Sequence, residues 1–326
     1  MTTFTDQVFH MGGVPVGGMF TNGRAIFVKP STGSDGNTGK TPARAVKTLA
    51  KALSLATANS NDVVYFIAES NTASSTTDYQ SSALDWNKDG VHLIGINSGC
   101  MVNQRSRIAQ LSTATNVDDL FTVSADNCYI ANISVFHGVD DATSKGAVKV
   151  TGQHNYFKNC TFSGIGHATM DTADNYSLKV SGGAENVFEG CYIGLDTIAR
   201  GTAANSEIVL DTGATRNLFK DCIIATYAEA DTHQFLIVPS AGLDRWTIFR
   251  NCIFMNMPTG DAAGTTMTEA FEVTGGGSPD GIIYLDGCSL VGATDWEAAA
   301  VSGKVMIRTD AGTAATAGLT GDVAAS

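Results

Sequence analysis

Proline is scarce in this chain, with 6 in 326 residues against 35 glycines. Charge is scarce too: 16 % of residues are charged, and 20 basic residues face 32 acidic ones, for a net charge of −12. A surface with that acidic excess repels a phosphate backbone, so a nucleic-acid partner is not expected. No apolar run approaches the roughly 18 residues of a membrane span, so no membrane association is expected. The opening residues, MTTFTDQVFHMGG, lack the basic flank and apolar stretch of a signal peptide. The seven cysteines include no CxxC pair, which argues against a metal site. Their odd number and the missing secretory signal argue against a disulfide framework. With 43 % hydrophobic residues, the chain still has ample material for a core.

A repeat fills most of the chain. NYFKNCTF (155–162), NVFEGCYI (186–193), NLFKDCII (217–224), WTIFRNCIF (246–254) and YLDGCSL (284–290) are variants of one phrase. Two earlier copies, HLIGINS (92–98) and YIANISV (129–135), carry isoleucine where the others carry cysteine. The slot residues are Ile96, Ile133, Cys160, Cys191, Cys222, Cys252 and Cys288, spaced by 37, 27, 31, 31, 30 and 36 residues. Upstream of the phrase runs a second, Val/Ile/Leu-rich element that ends in a Gly/Ser/Asp turn, as in AVKVTGQ and EIVLDTG. Short alternating segments at a fixed period of this size predict stacked units of strand, turn, strand and variable loop. Helical repeats would need longer segments, and a propeller blade would need four strands per repeat. The fold class expected is therefore all-β, a single parallel β-helix with two or three short strands per coil of about 30 residues.

Stacking assigns roles to the repeated residues. Equivalent positions lie about 4.8 Å apart, so an inward slot becomes a ladder. Cysteine is small and often buried, and isoleucine in the same slot points to an apolar requirement rather than to chemistry. The seven slot residues are expected to form a structural core ladder of reduced thiols and isoleucines. Phe157, Phe188, Phe219 and Phe249 should form a second stack. Asn155, Asn186 and Asn217 should open the strand, in left-handed turn geometry or as an amide ladder.

A solenoid needs caps at its open ends. Residues 42–56 read as a capping helix, with Thr41 as N-cap, Pro42 in the first turn, and an apolar face of Val46, Leu49, Ala50 and Leu53. Three segments follow: an N-terminal arm at 1–25, the β-helix over 26–310, and a flexible tail at 311–326. The arm is glycine-rich but carries Phe9, Met11, Val14, Val16, Met19 and Phe20, the pattern of a segment that orders on a partner.

Chemistry-bearing motifs are few, and neither a catalytic residue nor a cofactor nor a metal is expected. SDGNTGKT (34–41) resembles a phosphate-binding loop but has Ser34 where the first glycine belongs and Pro42 immediately after Thr41. Asp140, Asp141, Asp171, Asp174, Asp196, Glu229, Asp231 and Asp261 lie in the variable loops, which stacking brings to one side. Paired carboxylates there could cleave a glycan, and Gly166-His167 is a partial echo of a polygalacturonase motif. The six histidines show no metal-ligand spacing.

The stretch AIFVKPSTGSDGNTGKTPARAVKTLAKAL (25–53) resembles the entry of right-handed, pectin-lyase-like β-helix proteins. That resemblance implies the right-handed form of the solenoid. The leader DQVFHMGGVPVGG resembles leaders of virion proteins of tailed bacteriophages. This second resemblance implies a non-enzymatic capsid decoration or head-fibre-like protein. Its expected partner is the major capsid protein or another virion protein. It would be a homotrimer on the capsid surface, assembled in the host cytoplasm. The alternative is a tailspike-like β-helix that binds or cleaves a glycan on its loop face.

Overall fold

The computed structural model describes residues 9–10, 14–15, 23–67, 79–80, 82–96, 106–111, 113–201, 205–257, 264–273, 281–297, 304–307 and 320–321. Among them the chain winds into a right-handed parallel β-helix with three faces. One face is an 11-stranded sheet, and the other two are 8-stranded.

A single coil shows the plan. Tyr156–Lys158 lies in the first sheet, Thr161–Ser163 in the second and Tyr176–Ser181 in the third. Val187–Glu189 then begins the next coil, with Tyr156 opposite Val187 and Phe157 opposite Phe188. The repeated phrase is thus two strands around a corner. The corner residue has positive φ in coil after coil: Asn132, Asn159, Gly190, Asp221, Asn251 and Gly287, at 51° to 68°. Asn, Asp and Gly tolerate this left-handed region best, which explains why one of them always precedes the slot.

Past the corner the slot side chain turns inward. Ile133, Cys160, Cys191, Cys222 and Cys252 are buried, and Cys288 is half-buried. The thiols reach main-chain carbonyls one coil back, as in Cys222 Sγ to Phe188 O at 3.3 Å and Cys252 Sγ to Phe219 O at 3.5 Å. Ile96 is a correction: it is 48 % exposed and outside the ladder. The strand before it ends at Gly95, and Ser106 takes the inward position. Ser106 donates its hydroxyl to Phe66 O, and its own carbonyl accepts from Ser134 N, as the Ile133 carbonyl does from Thr161 N.

Beside the thiols, the rings of Phe157, Phe188, Phe219 and Phe249 stack at centroid distances of 4.7, 4.6 and 4.6 Å and tilts of 5°, 8° and 14°. The asparagines form an amide ladder. Cys128 N donates to Asn155 Oδ1, Asn155 N to Asn186 Oδ1, and Asn186 N to Asn217 Oδ1, at 2.8, 2.9 and 3.0 Å. Each amide nitrogen donates to a carbonyl of the previous coil, those of Ala125, Gly152 and Gly183. Left-handed geometry falls one residue earlier than the sequence suggested, on His154, Glu185 and Arg216. The asparagine side chain is needed for the ladder, so its neighbour makes the turn.

The N-terminal cap also differs from the single helix expected. Pro42–Arg44 is a 3-10 turn without a side-chain cap from Thr41, and the α-helix runs only over Leu49–Leu55, capped by Thr48 Oγ1 accepting from Lys51 N. Between them Val46 lies extended, bridged to Val28, with Val46 N donating to Phe27 O and Lys29 N to Val46 O. Sheet pairing at the exposed edge thus outcompetes helix propensity. Asp35 secures the junction by accepting from Lys47 N, Thr48 N and Thr48 Oγ1. The helix lays Leu49, Ala52 and Leu53 over the end of the core.

At the far end Val305–Ile307 continues the first sheet in parallel, and Thr320–Gly321 of the supposed loose tail pairs with it antiparallel. Trp296 covers the last rings, with centroids 5.5 Å from both Phe254 and Phe271. In the arm, Phe9–His10 and Val14–Pro15 form a short antiparallel pair. Met11, Val16, Met19 and Phe20 lie outside the described residues.

The amide ladder has a measurable consequence. Asn186→Ala leaves the buried Asn155 N–H and Gly152 carbonyl without their partner, so a loss of about 1–3 kcal/mol is expected in urea unfolding. An unchanged midpoint would show that the ladder bears no share of stability.

Candidate functional site

The loops that join the second sheet to the third stack on one side, over a buried polar layer. Outward-phase residues of the third sheet, Ser177 and Glu207, point into this layer and are fully buried by the loops above. Arg200 comes down from the loop side and is likewise 0 % exposed. Its Nε lies 3.3 Å from Glu207 Oε1, and its other nitrogens donate to the carbonyls of Gly164, Ile165 and Ile198. Ser177 Oγ donates to Glu207 Oε2 at 2.5 Å, and Thr226 Oγ1 lies 2.9 Å from Oε1. Thr226 Oγ1 is also 3.0 Å from His233 Nε2. Burial raises Glu207 above the usual carboxylate range, against the pull of Arg200 and the two hydroxyls. None of these five residues was singled out from sequence. The signal was a charged residue in the outward phase of an otherwise apolar strand, EIVLD, which also reads as an ordinary solvated position.

The network locks loops together. Arg200 ties its own loop to the 164–165 loop one coil away, while Glu207 anchors it to the sheet. Removing one member of a buried ion pair strands the other charge. Arg200→Met is therefore expected to cost about 3–5 kcal/mol, and Arg200→Met with Glu207→Gln to recover part of that loss in the same unfolding assay.

Two buried histidines belong to the same layer. His137 Nδ1 donates to Gly146 O at 2.8 Å, while His137 Nε2 and His233 Nδ1 are buried with no partner among the described residues. Burial depresses His137 to about 4 and His233 to about 3, in the second case with help from the Arg200 charge.

The loop acids named from sequence occupy this side but serve as local ties. Asp140 Oδ1 accepts from Thr169 Oγ1 at 2.5 Å and lies 3.7 Å from His167 Nδ1. Asp141 accepts from Asn116 N, Thr143 N and two hydroxyls, and those bonds hold its carboxyl well below the usual range. Asp171 receives Gly201 N and Asn205 Nδ2, each at 2.7 Å. Asp174 occupies a left-handed turn with φ 65°, and Asp196 interacts with the Tyr192 hydroxyl. Glu229 and Asp231 are held through their main chains, by Glu229 N to Arg200 O and Thr268 N to Asp231 O. Asp261 lies outside the described residues. His167 caps the 3-10 turn Ala168–Met170 by accepting from Thr169 N, so the Gly166-His167 echo is a turn element. The phosphate-loop-like stretch packs against the entry strand, with Gly39 O receiving Phe27 N. It borders a cleft of about 640 Å³ lined by Arg24, Ile26, Asn37, Thr38, Lys40 and Leu55. Among the described residues, no three or more His, Cys, Asp or Glu side chains converge as a metal site.

Comparison with known proteins gives the fold. Pectate lyase Pel9A superposes with a TM-score of 0.55 at 15 % identity, over 80 % of this chain and 62 % of the lyase. Pectin methylesterase PemA from Erwinia chrysanthemi gives 0.53 at 17 %, over 85 % and 82 %. A rhamnogalacturonan lyase gives 0.50 at 18 %, over 81 % and 69 %. The chain has the pectate-lyase-like β-helix fold. At these identities the likeness concerns fold alone, and the chain spans less than two thirds of the Pel9A structure. No family model matches the sequence. One curated protein, of Schizosaccharomyces pombe and named for xanthine/uracil permeases, is 25 % identical over 171 residues, 46 % of this chain and 26 % of its own length. Among the described residues no helix is long and apolar enough to cross a membrane.

The two histidines make stability depend on pH. Their folded-state pKa values lie below the unfolded value of about 6.5, so the unfolded chain binds protons first as pH falls. The stabilisation is complete above about pH 6.5 and is lost as pH falls toward 4 for His137 and 3 for His233. At its limit it is about 3 kcal/mol for His137 and about 5 kcal/mol for His233. Urea unfolding between pH 7 and 4.5 should show this slope, and His233→Gln should flatten it. An equal slope in that variant would exclude the residue as a source.

Proposed function

We propose that this chain is a non-enzymatic structural β-helix of a tailed-phage particle, a capsid decoration or head-fibre-like rod. In this reading residues 1–25 attach it to the major capsid protein or another virion protein, and three copies associate. The observation that carries it is the use made of the loop acids. Asp140, Asp141 and Asp171 spend their oxygens on neighbouring hydroxyl, amide and main-chain groups. The charged pair beneath them is sealed from solvent. That is the construction of a rigid display surface. The leader DQVFHMGGVPVGG, with its resemblance to leaders of virion proteins, supports the attachment role.

The second reading is a glycan-binding or glycan-cleaving spike. It is favoured by the exposed Asp140–His167 contact on the loop face and by fold neighbours named as pectin-processing enzymes.

Co-sedimentation with capsids of the encoding phage separates the two. Full-length protein is expected to bind and to scatter light as a trimer. A variant lacking residues 1–25 should lose binding while keeping its β-rich circular dichroism. Full decoration by the truncated protein would refute the arm, and new reducing ends from host polysaccharide would establish the second reading.

A further inference from the structure

Five consecutive coils place a thiol at one inward position: Cys160, Cys191, Cys222, Cys252 and Cys288. The residues that follow them pair in register, Thr161 with Tyr192, Tyr192 with Ile223, Ile223 with Ile253 and Ile253 with Ser289. Each of the three middle thiols therefore adjoins the one above and the one below, and Cys160 and Cys288 close the column at its ends. The neighbouring phenylalanine column measures the rise at this place as 4.6–4.7 Å per coil. All five cysteines are free. Side chains in equal phase on parallel strands keep their Cβ atoms about 4.8 Å apart, whereas a disulfide draws them to about 3.8 Å.

The same spacing suits a different bond. Two metal–sulfur bonds of about 2.3 Å laid end to end span about 4.6 Å, which equals the rise per coil, so a linearly coordinated ion matches the repeat of the column. Tetrahedral zinc does not fit, because among the described residues no third or fourth ligand converges on the column. Soft thiolates select soft d10 ions, several of which take two ligands in a line. The apolar surroundings decide among them by charge. A monovalent ion between two thiolates leaves a buried negative charge, whereas a divalent ion gives a neutral unit.

We propose that the cysteine column binds soft divalent d10 cations, with mercury(II) as the type, each held linearly between two adjacent thiolates. On uptake two S–H bonds break, two S–metal bonds form, and two protons leave to water, with no change of oxidation state. The weak bonds from the thiols to main-chain carbonyls are all that the fold gives up. Cys288, half-buried at the end of the column, is the point of entry. Because each sulfur is used once, five thiols hold two ions and leave one sulfur over.

That pairing rule supplies the test. Cys100 and Cys128 are replaced by alanine throughout, so that the five column thiols are the only cysteines left. The full-length protein is titrated with mercuric chloride and gel-filtered. Mercury is counted by mass spectrometry, and dithiolate pairs by their ultraviolet charge-transfer absorbance. About two ions per chain are expected, with β-rich circular dichroism intact and Tm raised by several degrees. Cys222→Ala should still hold about two, through Cys160 with Cys191 and Cys252 with Cys288. Cys191→Ala should hold about one, because Cys160 is left without a neighbour. Equal counts in the two variants, absence of the dithiolate band, or loss of circular dichroism on titration would overturn the proposal. Should a variant not fold, the protein with all five thiols still decides, through the direction in which Tm moves.

Discussion

Everything in this molecule depends on parallel, in-register stacking of coils at 4.6–4.7 Å. Each coil hands its main-chain hydrogen bonds to the next, so no coil can change phase without exposing its inward residues. A side chain that fits one coil then meets its own kind above and below. Phenylalanine stacks on phenylalanine, amide bonds to the main chain of the next amide residue, and thiol lies on thiol. Uniform columns let the interior repeat while the residues around them differ from coil to coil.

The corners are the second requirement. A three-sided coil must turn sharply between strands, and the chain does so with left-handed residues at fixed places. Where the side chain has no other duty, Asn, Asp or Gly takes the turn, as at Asn159, Gly190 and Asp221. Where an asparagine is committed to the ladder, the residue before it accepts the strain, even as Glu185 or Arg216. Such positions cost about 1 kcal/mol or more each and persist because the stack on either side fixes them.

Variation is confined to the loops, and there the protein builds a second, polar interior. Arg200, Glu207, Ser177, Thr226 and His233 form a sealed network that no single coil could hold, since its members come from three successive coils. Burial forces these groups to satisfy one another, and burial also keeps the two histidines neutral. The loop surface is therefore stiff from below, while the acids on top fasten it from above. A surface fixed in this way suits presentation and recognition, in keeping with the structural role proposed.

Period, strand alternation and the identity of the inward columns were legible in the residues alone, because stacking repeats one residue type at one phase. The phenylalanine stack could be read off directly. The corner within NYFKNCTF could not, because a left-handed residue between two short strands looks like part of one longer strand. Ile96 misled for a related reason: its local phrase matches the repeat, but its strand ends at Gly95 and Ser106 takes the inward place. The cap helix was shortened by sheet pairing at Val46, a contact with Val28 invisible to helical periodicity. The polar layer beneath the loops was hidden altogether, since Arg200 and Glu207 meet only after the loop folds back over the sheet. Sequence by itself determined the repeat, the fold class and the columns, which depend on local phase and periodicity. Only the tertiary structure decided which loop residues are buried together, because burial there depends on how far each loop folds back, and no periodic signal encodes that.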